Sequence, residues 1–168
     1  MSEVQRMQRK NFVQYIDSTF GGTTAAPYRL GKDFEEFNNE LNPDTTTGKN
    51  ILGETTFTHN GYEKSADGSP FYARVGDALF EKLQGIVDSE AQYEGTLTTI
   101  YDVHLWEAGT TSGTFKAYSQ PAYVIPTSYG GDTSGYQIPF TVNYVGERTS
   151  GYFTPDGNGG GTFVADNA

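Results

Sequence analysis

The stretch YQIPFTVNYVGERTSGYFTPDG, residues 136–157, decides the fold class. Its first half alternates with a period of two. Tyr136, Ile138, Phe140, Val142 and Tyr144 point one way, and Gln137, Pro139, Thr141 and Asn143 point the other. That pattern marks a β-strand with one apolar and one wet face. The wet face carries no charge before Glu147, whereas strands open to bulk solvent usually do.

Working outward, EGTLTTIYDVHLWEAG (94–109) reads as a long strand. Leu97, Tyr101, Val103 and Leu105 share one face, and Thr96, Thr98, Asp102 and His104 oppose them. TSG (111–113) turns the chain into a second strand, TFKAYSQPAYVIP (114–126), and SYGGDTSG (128–135) turns it again into the opening stretch. Short sequential connections favour antiparallel pairing. Pro121 and Pro139 lie inside strand patterns. Each lacks a ladder donor, so each is expected at an edge or a bulge.

Upstream, NFVQYIDS (11–18) and YRLGKD (28–33) read as short strands, and FEEFNNEL (34–41) as a helical turn or loop that Asn42-Pro43 stops. PDTTTGK (43–49) reads as a loop and NILGETTFTHNGYE (50–63) as extended chain. FYARVGDALFEKLQGIVDS (71–89) reads as the helix, because Tyr72, Val75, Leu79, Leu83 and Ile86 recur at steps of three and four. Ser69 is its expected cap, with Pro70 at the first helical position. The apolar stripe covers one side only, so this helix lies against something.

The expected fold is therefore mainly β (α+β): a two-sheet antiparallel sandwich or rolled barrel with one flanking helix. Residues 1–168 form a single domain, with an exposed arm over 1–12 and a flexible arm over 155–168 that hinges at PDGNGGG (155–161). Twelve Tyr, eleven Phe and twenty-one Gly beside many Thr favour pleated sheets with turns. A chain of 168 residues can bury about 68–70% of its unfolded surface. It contains no Cys, which removes disulfides, thiolate metal sites and a Cys nucleophile together. The start, MSEVQRMQRK, has no apolar run after its charges, so it does not read as a secretory signal. The apolar runs elsewhere fall far short of the ~20 residues of a membrane span. A net charge of −10 argues against a scaffold for gripping phosphate backbones.

Chemical motifs are sparse, and no enzyme activity and no cofactor are expected. His59 stands among Thr and Asn and reads as a surface imidazole. His104 lies two residues from Asp102 on the same face, a pairing that could orient a base, but no nucleophile motif accompanies it. GNGGGT (157–162) lacks the Lys-Ser/Thr ending of a phosphate loop and no helix follows it. DTSG (132–135) and DGNG (156–159) begin like calcium loops without the Glu at the twelfth position, so they read as turns. The series Tyr118, Tyr123, Tyr129, Tyr136, Phe140, Tyr144, Tyr152 and Phe153 is the richest feature. It suits core and subunit packing, and alternatively stacking on sugars.

GKDFEEFNNELNPD (31–44), KNILGETTFTHNGYE (49–63) and PFYARVGDALFEKLQ (70–84) resemble major tail proteins of long-tailed, non-contractile bacteriophages and prophages, in segment order over residues 28–148. The resemblance implies hexameric rings that stack into a tube, with a two-sheet sandwich or rolled barrel in each copy. It implies a conduit for DNA without tight binding, and tape measure, distal tail and tail terminator proteins as further partners. It places the protein in the virion tail after assembly in the host cytoplasm. On this basis Thr96, Thr98, Asp102, Gln137, Thr141, Asn143 and Glu147 are candidates for the lumen wall. Tyr72, Val75, Leu79, Leu83 and Ile86 pack the helix outside the sheets. Arg6, Arg9, Lys10, Phe57 and Phe163 are candidates for contact between rings. Relatives with an added C-terminal immunoglobulin-like domain differ from this chain, for which a smooth tube is expected. The alternatives are a carbohydrate-binding β-sandwich or adhesin, with tyrosines as stacking platforms, and a hydrolase built on Asp102 and His104.

Overall fold

The computed structural model describes residues 3–34 and 36–166. Thirteen strands and one α-helix follow one another among them: β1 (Phe12–Asp17), β2 (Pro27–Leu30), β3 (Asn39–Glu40), β4 (Pro43–Lys49), β5 (Thr55–Tyr62), β6 (Ser65–Gly68), α1 (Ala78–Ser89), β7 (Leu97–Ala108), β8 (Phe115–Pro126), β9 (Gly130–Asp132), β10 (Gly135–Gln137), β11 (Phe140–Tyr144), β12 (Thr149–Pro155) and β13 (Gly161–Ala165). Nine strands form an antiparallel sheet in the order β2-β1-β7-β8-β11-β6-β3, with β12 paired to β8 and β13 to β12. The sheet curls into a half-barrel, and its ends approach where Arg29 N–H donates to the Gly159 carbonyl at 2.9 Å. No helix among the described residues is long and apolar enough to cross a membrane.

The sheet forks on β8. Ala122–Pro126 pairs with β11 and Phe115–Ser119 pairs with β12. Pro121 sits at the fork, where its carbonyl accepts from Val145 N–H at 2.9 Å. The N–H and C=O of a strand residue point to the same edge, so the missing donor falls where the ladder changes partner. Pro139 lies in the gap between β10 and β11, and its carbonyl takes Thr127 N–H at 2.9 Å. The first half of the opening stretch, read as one strand, is thus two. Its alternation holds for Ile138, Phe140 and Val142, all buried, while Tyr136 swings out to donate its hydroxyl to Gln84 Oε1 at 2.7 Å.

Two cores share the sheet. The larger holds Ile16, Phe71, Leu79, Leu83, Ile86, Ile100, Val124, Ile138, Phe140 and Val142; the smaller holds Tyr15, Tyr101, Val103, Ala117 and Phe153. Along β7, Ile100 enters the first and its neighbour Tyr101 the second. This strand is covered on both faces, against the expectation of one wet face.

The helix begins later than the periodicity predicts. Tyr72 bridges to Gln137 and Ala73 N–H donates to the Tyr136 carbonyl, so residues 71–73 are extended and pair beside β10. Gly76 takes φ +86°, and Asp77 caps α1 through Oδ1 to Leu79 N–H, in place of Ser69. Val75 is fully exposed and Tyr72 half-buried, so neither packs the helix; Phe71 fills the core position ahead of it. Leu79, Leu83 and Ile86 are buried as the stripe requires, and each such side chain contributes about 1.5–3 kcal/mol.

The glycine-rich 155–161 segment is a tight turn, not a hinge. Asp156 Oδ1 accepts from Asn158 N–H at 2.6 Å and Gly160 N–H at 3.1 Å. A Cβ on Gly161 would strike the Phe153 ring, and one on Gly151 the Val164 carbonyl and Phe163 ring. These glycines let β12 and β13 close on aromatic side chains. The expected flexible arm is therefore a sheet strand through Ala165; Asn167 and Ala168 lie outside the described residues.

Candidate assembly surfaces

Cross-strand register builds one open face on the side of β8, β11 and β6 that turns away from the larger core. Leu97, Tyr123, Asn143, Ser65 and Glu40 form one row, and Ile125, Thr141 and Asp67 the next. Directly opposite residues share a face. The charged members of these rows, Glu40 and Asp67, are both acidic. A groove of about 560 Å³ opens here between Tyr93, Tyr123, Ile125 and Asn143. Thr141 and Asn143 share this face, and Glu147 follows in an exposed loop. Gln137 does not join them; it lies on β10, opposite Gly130.

Thr98 and Asp102 do not line any open surface, and Thr96 lies only at the floor of the groove: all three are at most 5% exposed. Each is satisfied inside. Thr96 Oγ1 donates to the Tyr93 carbonyl at 2.8 Å and Thr98 Oγ1 to the Asp17 carbonyl at 2.6 Å. Asp102 accepts from Gln14 Nε2 at 2.9 Å and from Arg148 Nη2 at 3.1 Å. A buried carboxylate persists only with such partners. Around it, Lys64 Nζ donates to Gln120 Oε1 at 2.9 Å and sits 4.6 Å over the Tyr144 ring. Burial pulls the Lys64 pKa down, and the Asp102 charge opposes that. Tyr144 donates to Asn39 Oδ1 at 2.7 Å, and burial, reinforced by Asp102, raises its pKa far above the usual phenol value. This cluster closes the end of the larger core. His104 is not part of it: its Nδ1 lies 2.8 Å from Glu107 Oε2, so no Asp102–His104 dyad forms. Gln14, Lys64, Glu107 and Arg148 carried no sequence signal. Apart from Glu107, they come from segments 38 to 88 residues away along the chain.

β4 and β5 pair only with each other, as a separate two-stranded sheet. Residues 43–49 are thus a strand, not a loop. Every residue from Pro43 to Tyr62 is exposed except Gly61, which is half-buried. The tip is held by Asn50 Oδ1, which accepts from Leu52 and Glu54 N–H at 2.9 and 3.0 Å. It presents Ile51 at 103% and Leu52 at 76% exposure, with Phe57 at 66% on the shaft. A lone hairpin is marginal in water, so this one needs a surface to lie on.

Arg6 and Lys10 are exposed, while Arg9 ties the arm down by donating to the Phe12 and Phe37 carbonyls. Phe163 is not free to reach another copy. It packs against the smaller core, 5.5 Å from the Tyr101 ring. The aromatic series divides likewise: Phe140 and Phe153 are buried, and Tyr129 and Tyr136 are exposed.

No protein-family model matches the chain. No curated protein matches it. Among solved structures it is similar to a chain described as the tail of an empty GTA (gene transfer agent) particle with C6 symmetry, with a TM-score of 0.57 and 12% identity over 86% of this chain and 98% of that one. At that identity the likeness is one of fold, and the curled antiparallel sheet with its flanking helix is the fold this chain shares with a subunit of a six-fold tail.

Proposed function

We propose that this chain is a structural tail subunit, without enzymatic activity, that stacks as six-fold rings into a tube through which DNA leaves a phage-like particle. The observation that carries the proposal is the shared fold, which spans 98% of a chain from a C6 tail. The exposed hairpin Pro43–Tyr62 supports it, because Ile51, Leu52 and Phe57 have no place in this chain's own cores. In the tube they lie on the next ring, beside the arm residue Arg6. The open face with Thr141 and Asn143, continued by Glu147, fronts the lumen. A wall that is polar or acidic lets a polyanion slide, and a basic one would hold it. Tape measure, distal tail and terminator proteins meet the tube at its interior and ends. The finished protein resides in the virion tail after assembly in the host cytoplasm.

Negative-stain electron microscopy over a concentration series, with light scattering for mass, tests this. Six-fold rings or hollow tubes are the expected outcome. A monomer that binds glycans and never assembles would replace the proposal with the carbohydrate-binding one.

A further inference from the structure

We propose that the surface around Trp106 is where one copy grips the next within a ring, and that its occupant is the acidic end of α1 from a second copy. The inference rests on the tail proposal above. Four rings gather on one face of β1, β7 and β8. His104 lies flat on Trp106, centroids 4.4 Å apart at 12°. Phe12 sits 6.0 Å from His104 and 6.5 Å from Trp106, and Tyr118 5.5 Å from His104. Trp106, the chain's single tryptophan, is 43% exposed.

Cations surround this shelf. The Arg148 guanidinium is 4.0 Å and Lys116 Nζ 5.5 Å from the Tyr118 centroid, and Arg9 is 5.3 Å from that of Phe12. Of the nearby carboxylates, Asp102 is engaged by Arg148, Glu107 by His104 and Asp166 by Lys116, while Glu36, which shares a groove with Arg9, Lys10 and Phe12, accepts from Asn38 Nδ2. Arg9 donates to backbone carbonyls and meets no carboxylate among the described residues, and Lys10 beside it is exposed. A half-exposed aromatic centre with a cationic rim, on a chain of net charge −10, is built for an acidic partner with apolar content.

The chain itself carries that partner. Asp88, Glu90 and Glu94 are exposed within seven residues that contain no base, and Tyr93 among them is 78% exposed. This segment leads directly into β7, whose far end bears Trp106, about 30 Å away at the usual strand rise. Shelf and acidic end thus lie at opposite ends of one strand. A contact between them on two copies is head-to-tail, the kind that closes a ring.

Trp106 is its own reporter. As scattering shows assembly, its emission should shift to the blue and its quenching by acrylamide should fall. Trp106→Ala should raise the concentration needed for rings by about tenfold or more, as for other anchoring tryptophans. Added salt should raise it for the native protein, because the charge contacts are screened. Two charge variants keep the test independent of folding. A Glu90→Lys/Glu94→Lys copy has a basic end and a basic shelf, and an Arg9→Glu/Lys10→Glu copy has acids at both places. Each alone should fail to form rings, and a 1:1 mixture should recover them by alternating around the ring. Rings that form with unchanged Trp106 emission and quenching, or charge variants that each assemble like the native chain, would overturn this interface and leave the tail proposal standing. A native chain that stays monomeric at every concentration would overturn both.

Discussion

Tyr28 donates its hydroxyl to Asp77 Oδ2 at 2.9 Å, and the other oxygen of that carboxylate accepts Leu79 N–H at 3.1 Å. One side chain therefore caps α1 and binds it to β2. Asp77→Ala removes both contacts. The cap is worth about 1 kcal/mol and the second hydrogen bond about 1 more, so a loss of about 2 kcal/mol is expected in urea unfolding. Asp77→Asn, which preserves the cap, should recover most of it.

Phe71 and Val75 separate the periodicity from the packing. Phe71 is 1% exposed, 5.3 Å from Phe34 and 5.8 Å from Phe140, ring to ring. Phe71→Ala should cost about 3–5 kcal/mol. Val75→Ala should stay within about 0.5 kcal/mol, since the side chain touches solvent alone. Thermal melts of the two variants side by side check this; a costly Val75→Ala would restore Val75 to the helix stripe.

Gly161 packs under the Phe153 ring, so Gly161→Ala overfills a closed site and should cost about 1–3 kcal/mol. A truly flexible arm would tolerate it. Differential scanning calorimetry distinguishes the two, and backbone amide exchange in β13 should quicken in the variant.

Alkaline pH should unfold the protein in a defined direction. Burial raises the pKa of Tyr144, and of Tyr15, Tyr28 and Tyr101, above the free phenol value. The folded state thus holds protons that the unfolded state releases. The stabilisation is complete below the unfolded value of about 10 and is lost as pH rises beyond it. Tyr144→Phe should flatten the slope of stability against pH above that point. An unchanged slope would mean that other groups carry it.

Ile51→Asp with Leu52→Asp places charge on the exposed hairpin tip. Monomer stability should hold within about 0.5 kcal/mol, because neither side chain belongs to a core. Rings should no longer stack into tubes in electron micrographs. Tubes of normal length from this variant would remove the hairpin from the contact between rings.

The alternation Ile138–Phe140–Val142, the two long strands β7 and β8 and the Leu79–Leu83–Ile86 stripe were legible in the sequence, because each is a local repeat that a single strand or turn of helix imposes on its own residues. The open face of Thr141 and Asn143 was legible for the same reason. What covers a face is another matter. Thr98 and Asp102 alternate as a wet face would, yet Asp17, Gln14 and Arg148 arrive from distant segments to satisfy them in the interior. Tyr72 and Val75 fit the helical period, but strand-like pairing with β10 claims residues 71–73 first. The glycines at 151 and 161 announce close approach or freedom equally, and only the Phe153 and Phe163 rings decide for approach. Period and propensity belong to neighbours along the chain, and so the sequence determined the elements and their apolar faces. Burial, partners and the fork of β8 belong to contacts between segments far apart in sequence, and these the tertiary structure alone decided.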